Sequence, residues 1–117
     1  MARRWPGKSQ SGGLPLRDIF SRDVPPTHPG VILAEALENM NLKIMPAASL
    51  LGTSRQTLHK IIRGDAPITP PMALKIGTLC GNGPNLWINM QTNHDLWHEA
   101  RRMRREIEGI EKAVAAR

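Results

Sequence analysis

Arg55, Gln56, Thr57 and Lys60 stand close together and offer what the edges of base pairs require. Arginine can bridge O6 and N7 of guanine, glutamine can bridge N6 and N7 of adenine, and the threonine methyl can touch thymine. Each good bidentate pair is worth about 1–3 kcal/mol of discrimination. His59 lies on the flank of this set, suited to phosphate or solvent, and Arg63 adds a further cation with no acidic residue between Arg55 and Arg63. Taken alone, Ser-Arg-Gln-Thr is also what a solvated, well-capped helix start looks like, so the surrounding elements decide between the two readings.

Those elements are legible. Ala47 to Gly52 reads as the end of a short helix closed by glycine, and Ser54 is an N-cap for the helix that follows. Two helices meeting about three residues apart form a helix-turn-helix, whose second helix enters the major groove by its N-terminal turn. The candidate DNA-binding set is therefore Ser54, Arg55, Gln56, Thr57, His59, Lys60 and Arg63.

Around this unit, the spacing of apolar residues predicts an all-α fold. Pro29 suits the first position of helix one, with Ile32, Leu33, Ala36, Leu37 and Met40 on one face. Helix two runs from about Ile44 to Leu51 and packs Ala47, Ala48 and Leu51 inward. Helix three buries Leu58, Ile61 and Ile62. Thr69 caps helix four, where Pro70 and Pro71 fall where missing donors are harmless and Ala73, Leu74, Ile76 and Leu79 carry the apolar load. Gly81-Asn82-Gly83 breaks that helix, and Pro84 opens a fifth carrying Leu86, Trp87, Met90, Leu96 and Trp97. Beyond it Ala100, Met103, Ile107, Ile110 and Val114 recur as a narrow seam, a candidate docking or pairing face weakened by Gly109. The expected organisation is a flexible basic arm at 1–26, a helix-turn-helix domain at 27–99 and a charged helical extension at 100–117. Within the arm, Leu14 to Phe20 holds enough apolar residues for a short segment that packs on the body or on a partner.

Composition narrows the function classes. The chain has 117 residues and a net charge of +6, which favours a polyanionic partner. Residues 1–27 hold five basic and two acidic side chains, residues 28–99 five of each, and residues 100–117 six and three, so the excess lies in the tails. A single cysteine, Cys80, forbids an intramolecular disulfide and reads as a small buried apolar group in a reducing compartment. No apolar run approaches the roughly 18 residues of a membrane span, Arg3-Arg4 is not followed by the apolar stretch of a secretory signal, and the expected location is the cytoplasm. His94 and His98 have a metal-compatible spacing without a third and fourth ligand, and Ser49, His59 and Asp65 lack a nucleophile elbow. No catalytic, metal or cofactor site is expected, and no enzyme activity. The arginines at 101, 102, 104 and 105 read as a solvated helix face.

At this point the chain resembles phage-repressor-type (XRE-type) helix-turn-helix proteins, and more narrowly the HigA family of antitoxins. The similar segments are HPG at His28 to Gly30, GTSRQTLHKIIRG, ITPPMAL and LWINMQTNHDLW, spanning His28 to about Trp97. The resemblance implies a five-helix fold and a homodimer that binds a palindromic operator in double-stranded DNA of its own promoter. It further implies a cognate toxin protein, typically an mRNA-cleaving endonuclease of the RelE superfamily. On this resemblance Arg55, Gln56, Thr57 and Lys60 face DNA, while Trp87, Asn89 and Gln91 match the hallmark of helix five and serve structure or dimerisation. The chain departs from the family pattern where Lys43 and Ile44 replace the serine and glutamine that commonly begin helix two, removing the usual cap and a phosphate contact. Arg63-Gly64 replaces the common asparagine-glycine, trading a polar cap for a possible phosphate partner. Two other functions fit the same residues: a stand-alone transcriptional regulator, and a protein-interaction module that has lost DNA reading.

Overall fold

Six helices follow one another in the computed structural model, which describes residues 24–117: α1 (Pro29–Asn39), α2 (Ile44–Leu51), α3 (Arg55–Arg63), α4 (Pro70–Cys80), α5 (Pro84–Arg102) and α6 (Arg104–Ala115). No strand occurs among the described residues. Most of the expected N-terminal arm, including Leu14 to Phe20, lies outside them.

Local sequence sets each helix boundary. Ser54 and Thr69 cap α3 and α4 by accepting the amide hydrogens of Thr57 and Met72. Prolines open α1, α4 and α5, where the missing amide hydrogen has no intrahelical partner to lose. Between α2 and α3 the chain reverses at Gly52, whose φ of 65° and ψ of 34° are left-handed. There the amide of Thr53 bonds back to the carbonyl of Ala48 at 3.0 Å, closing α2 in the manner glycine allows and a β-carbon penalises.

One core joins α1 to α5: Leu33, Leu37, Ala47, Ala48, Leu51, Leu58, Ile61, Ile68, Ala73, Ile76 and Trp87 are all buried. The closest packing is between α4 and α5, with α3 held between α1 and α2. Gly30 makes one of these contacts possible. A β-carbon there would collide with the carbonyl oxygen of Ile61 and sit 2.8 Å from that of Ile62, so only glycine lets the first turn of α1 lie directly on the last turn of α3.

Several apolar residues expected to face inward do not. Met40 follows the last turn of α1 as its C-cap and is 43% exposed, because the helix ends at Asn39 and the chain turns away. In α4 the buried stripe is Ala73, Ile76 and Gly77, which leaves Leu74, on the far side of that stripe, 59% exposed. Leu86 and Leu96 of α5, expected to supply core or interface area, are 43% and 41% exposed. The seam expected from Ala100 to Val114 is divided: Ala100 is buried in α5, Met103 interrupts the helix at φ −100° and ψ 16°, and α6 buries none of its residues.

Candidate nucleic-acid interface

Ser54 fixes the start of α3 with two bonds. Its hydroxyl oxygen accepts the amide hydrogen of Thr57 at 3.0 Å, and its hydroxyl hydrogen is donated to Oγ1 of Thr57 at 2.9 Å. Ser54 thus acts as the cap that orients the helix start, and Thr57 keeps its methyl and its own hydroxyl hydrogen for a ligand. Capping of this kind is worth about 1 kcal/mol.

At 100° per residue, Leu58, Ile61 and Ile62 occupy one wedge of α3 and Gln56, His59, Lys60 and Arg63 the opposite one. The first two of the apolar set are buried, whereas Arg55, Gln56, Thr57, His59, Lys60 and Arg63 are all exposed. Gln56, His59, Lys60 and Arg63 line one shallow concavity. His59, expected on the flank, falls inside that wedge and also borders an apolar groove lined by Leu37, Leu42, Lys43, Ile44 and Ile62. No acidic residue lies in the first turn of α3, so its positive dipole end is uncompensated by the helix itself.

Arg63 is engaged within the chain. Its Nε donates to Oδ2 of Asp65 at 3.1 Å, with both side chains about three-fifths exposed (60% and 62%), so solvent screens the pair and exchange for a phosphate costs little. Lys43 precedes α2 without a side-chain cap bond, in keeping with the loss of the family's serine.

The element behind α3 is held by a buried polar relay. The amide of Ile68 donates to Oε1 of Gln91 at 2.8 Å, and Nε2 of Gln91 donates to Oδ1 of Asp95 at 3.0 Å. This ties the loop leaving α3 to the middle of α5. Trp87, wholly buried, donates its indole hydrogen to Oδ1 of Asn82 at 2.9 Å. Gln91→Ala is therefore expected to leave the Ile68 amide unpaired and cost about 1–3 kcal/mol, read as a lower midpoint in urea unfolding. An unchanged midpoint would show that the relay adds nothing.

Sequence reading passed over His28 and Ile68. His28 caps α1: its Nδ1 accepts the amide hydrogen of Gly30 at 2.9 Å, and its ring meets that of His94 edge to face at 4.9 Å. Its signal was present, a side chain with an acceptor immediately before a proline at the first helical position. Ile68 is 2% exposed although it sits between helices, and no periodicity marks it. The rings of His94 and His98 meet at 4.6 Å with a tilt of 59°, and among the described residues no group of three or more histidine, cysteine or acidic side chains is placed to hold a metal ion. Among the same residues, no helix is long and apolar enough to cross a membrane. Burial raises the pKa of the Cys80 thiol, which keeps it protonated and a poor nucleophile at neutral pH.

No family model matches the chain. It is 40% identical over 73 residues to an HTH-type transcriptional regulator of Haemophilus influenzae, a match covering 62% of this chain and 68% of the relative. It is 32% identical over 80 residues to antitoxin HigA-1 of Vibrio cholerae, covering 68% of this chain and 75% of that protein. Among solved structures, Pseudomonas aeruginosa antitoxin HigA with the higBA promoter aligns at a TM-score of 0.66 and 28% identity, over 72% of this chain and 92% of the other. Agreement over that much of a HigA antitoxin, in sequence and in the helices that build the turn, means that this chain belongs to the HigA family of helix-turn-helix antitoxins.

Proposed function

We propose that the chain is the antitoxin of a toxin-antitoxin pair that acts in the cytoplasm, binds an operator palindrome in its own promoter as a homodimer and represses its operon. One observation carries this reading: α3, capped by Ser54, exposes Arg55, Gln56 and Thr57 in its first turn and Gln56, His59, Lys60 and Arg63 along its outward wedge, without an acid among them. The P. aeruginosa relative solved with promoter DNA supports the same use of the fold. In this reading Arg55, Gln56 and Thr57 touch base edges, and His59, Lys60 and Arg63 touch phosphate or the groove margin. Residues 27–99 form the DNA-binding unit, and the tails at 1–26 and 100–117 are available to the partner protein. That partner is a toxin of the RelE superfamily that cleaves mRNA.

The test has two arms. A gel-shift titration against a duplex spanning the region upstream of the chain's own coding sequence should show binding that weakens steeply between about 50 and 200 mM salt, by about 10³-fold or more if six phosphates are neutralised. Co-purification with the product of the adjacent gene, followed by an mRNA-cleavage assay, tests the toxin. Absence of a shift at any salt removes the DNA reading. The H. influenzae relative favours a second reading, a stand-alone regulator without a toxin. A neighbouring gene for a small basic protein that co-purifies would exclude it.

A further inference from the structure

We propose that His28 is a positioning residue for DNA reading, a latch that holds α1 against the end of α3 while its imidazole is neutral and releases it on protonation. The inference rests on the reading of α3 as the DNA-binding helix.

The geometry assigns the tautomer. Nδ1 of His28 accepts the amide hydrogen of Gly30, so the neutral ring must carry its single hydrogen on Nε2. Protonation puts a hydrogen on Nδ1, and the first turn of α1 loses the one side-chain acceptor of its cap residue, keeping only the bond from the Val31 amide to the His28 carbonyl. The resulting cation also lies beside the amide end of α1, where a positive charge is disfavoured.

Release would reach α3 directly. Gly30 lies against the carbonyls of Ile61 and Ile62, and the ring of His28 comes within 3.5 Å of the space beside Gly64, the residue that ends α3. The last turn of α3, which bears Lys60 and Arg63, is thus seated on the turn that His28 caps. Loosening the seat widens the range of angles those cations take toward phosphate.

The surrounding charges set the direction. From α5, His94 faces His28 edge to face and Asp95 stands next to it, with the ring of His98 tilted against that of His94 one turn further on. From the loop after α3, Asp65 borders the same small cavity and is itself paired with Arg63. Nδ1 of His94 is buried without a hydrogen-bond partner, 3.7 Å from Oδ1 of Asp95, so Asp95 is shared rather than dedicated to His28. Burial foremost, then His94, lower the pKa of His28, and Asp95 opposes them only in part. A histidine whose folded pKa is lowered contributes stability that is present above the unfolded value of about pH 6.5 and lost as pH falls from there through the depressed folded value.

The experiment compares the full chain with His28→Asn and His28→Ala between pH 7.5 and 5.5, using the upstream duplex in a gel shift and amide exchange at Gly30 by NMR. Asparagine caps as well as any residue and does not titrate. Wild-type affinity, expressed as a ratio to His28→Asn, should fall severalfold over this range, with about tenfold as the ceiling that one pH unit below the ordinary histidine value of about 6.5 allows. The two proteins differ only at position 28, so the ratio isolates the contribution of that side chain. Gly30 exchange, corrected for intrinsic rate, should accelerate by about tenfold in the wild type and stay flat in His28→Asn. His28→Ala should exchange fast at both pH values. Parallel pH profiles for wild type and His28→Asn, in binding or in exchange, would overturn the latch. Exchange that responds as expected with no DNA shift at any pH would sink the DNA reading and leave the latch standing.

Discussion

Arg55→Ala should weaken binding to the upstream operator by about 5- to 150-fold, the equivalent of one lost bidentate base contact of about 1–3 kcal/mol. Gln56→Ala should behave similarly, each by relaxing the preference at a single base position. Both side chains are exposed and neither is required by the core, so the variants should fold with unchanged unfolding midpoints. Protection of cells from the toxin should remain within about twofold of wild type, because the DNA-facing wedge and the toxin-binding surface are separate in this reading. Gel shifts with single-base operator variants and a growth-rescue assay measure the two effects side by side. Folded variants that lose both activities would refute the separation.

Trp87→Ala should be the most damaging single truncation, costing about 3–5 kcal/mol. The indole is wholly buried among the core residues and its N–H is satisfied by Asn82, so truncation both opens a cavity and frees an acceptor. A domain of this size has only about 5–15 kcal/mol to lose. Urea unfolding followed by circular dichroism would show the shift, and Trp87→Phe should recover most of it, since the ring volume returns and Asn82 is exposed to water. A loss below about 1 kcal/mol for the alanine variant would mean that α5 is not anchored by this side chain.

The parts of the fold governed by neighbours in sequence were readable in advance. Ser54 and Thr69 act on the third residue beyond them, and the chain reverses at Gly52 with bonds that reach back three to five residues, so type and spacing determine the outcome. The buried side of α3, Leu58 and Ile61, was readable for the same reason, whereas His59 was placed on the flank and lies in the outward wedge. Contacts between distant segments were not. Nothing local indicates that Ile68 will be buried by α5, that Gln91 will receive its amide, or that His28 will meet His94 across the fold. Helical spacing also gives the direction of an apolar stripe without its width, which is why Leu74 was placed inside and lies outside. Met103 is neither glycine nor proline, and its interruption of the last long helix has no local signal.

That interruption divides the lifetimes of two parts of the molecule. α6 leans chiefly on α5 near the break and buries no residue of its own, so little free energy opposes its transient melting, while the five preceding helices open only with the core. The arginines flanking Met103 are the residues that trypsin-like proteases cut after. A cellular protease with that preference would clip the tail long before it unravelled the body, leaving a shortened protein that keeps its helix-turn-helix.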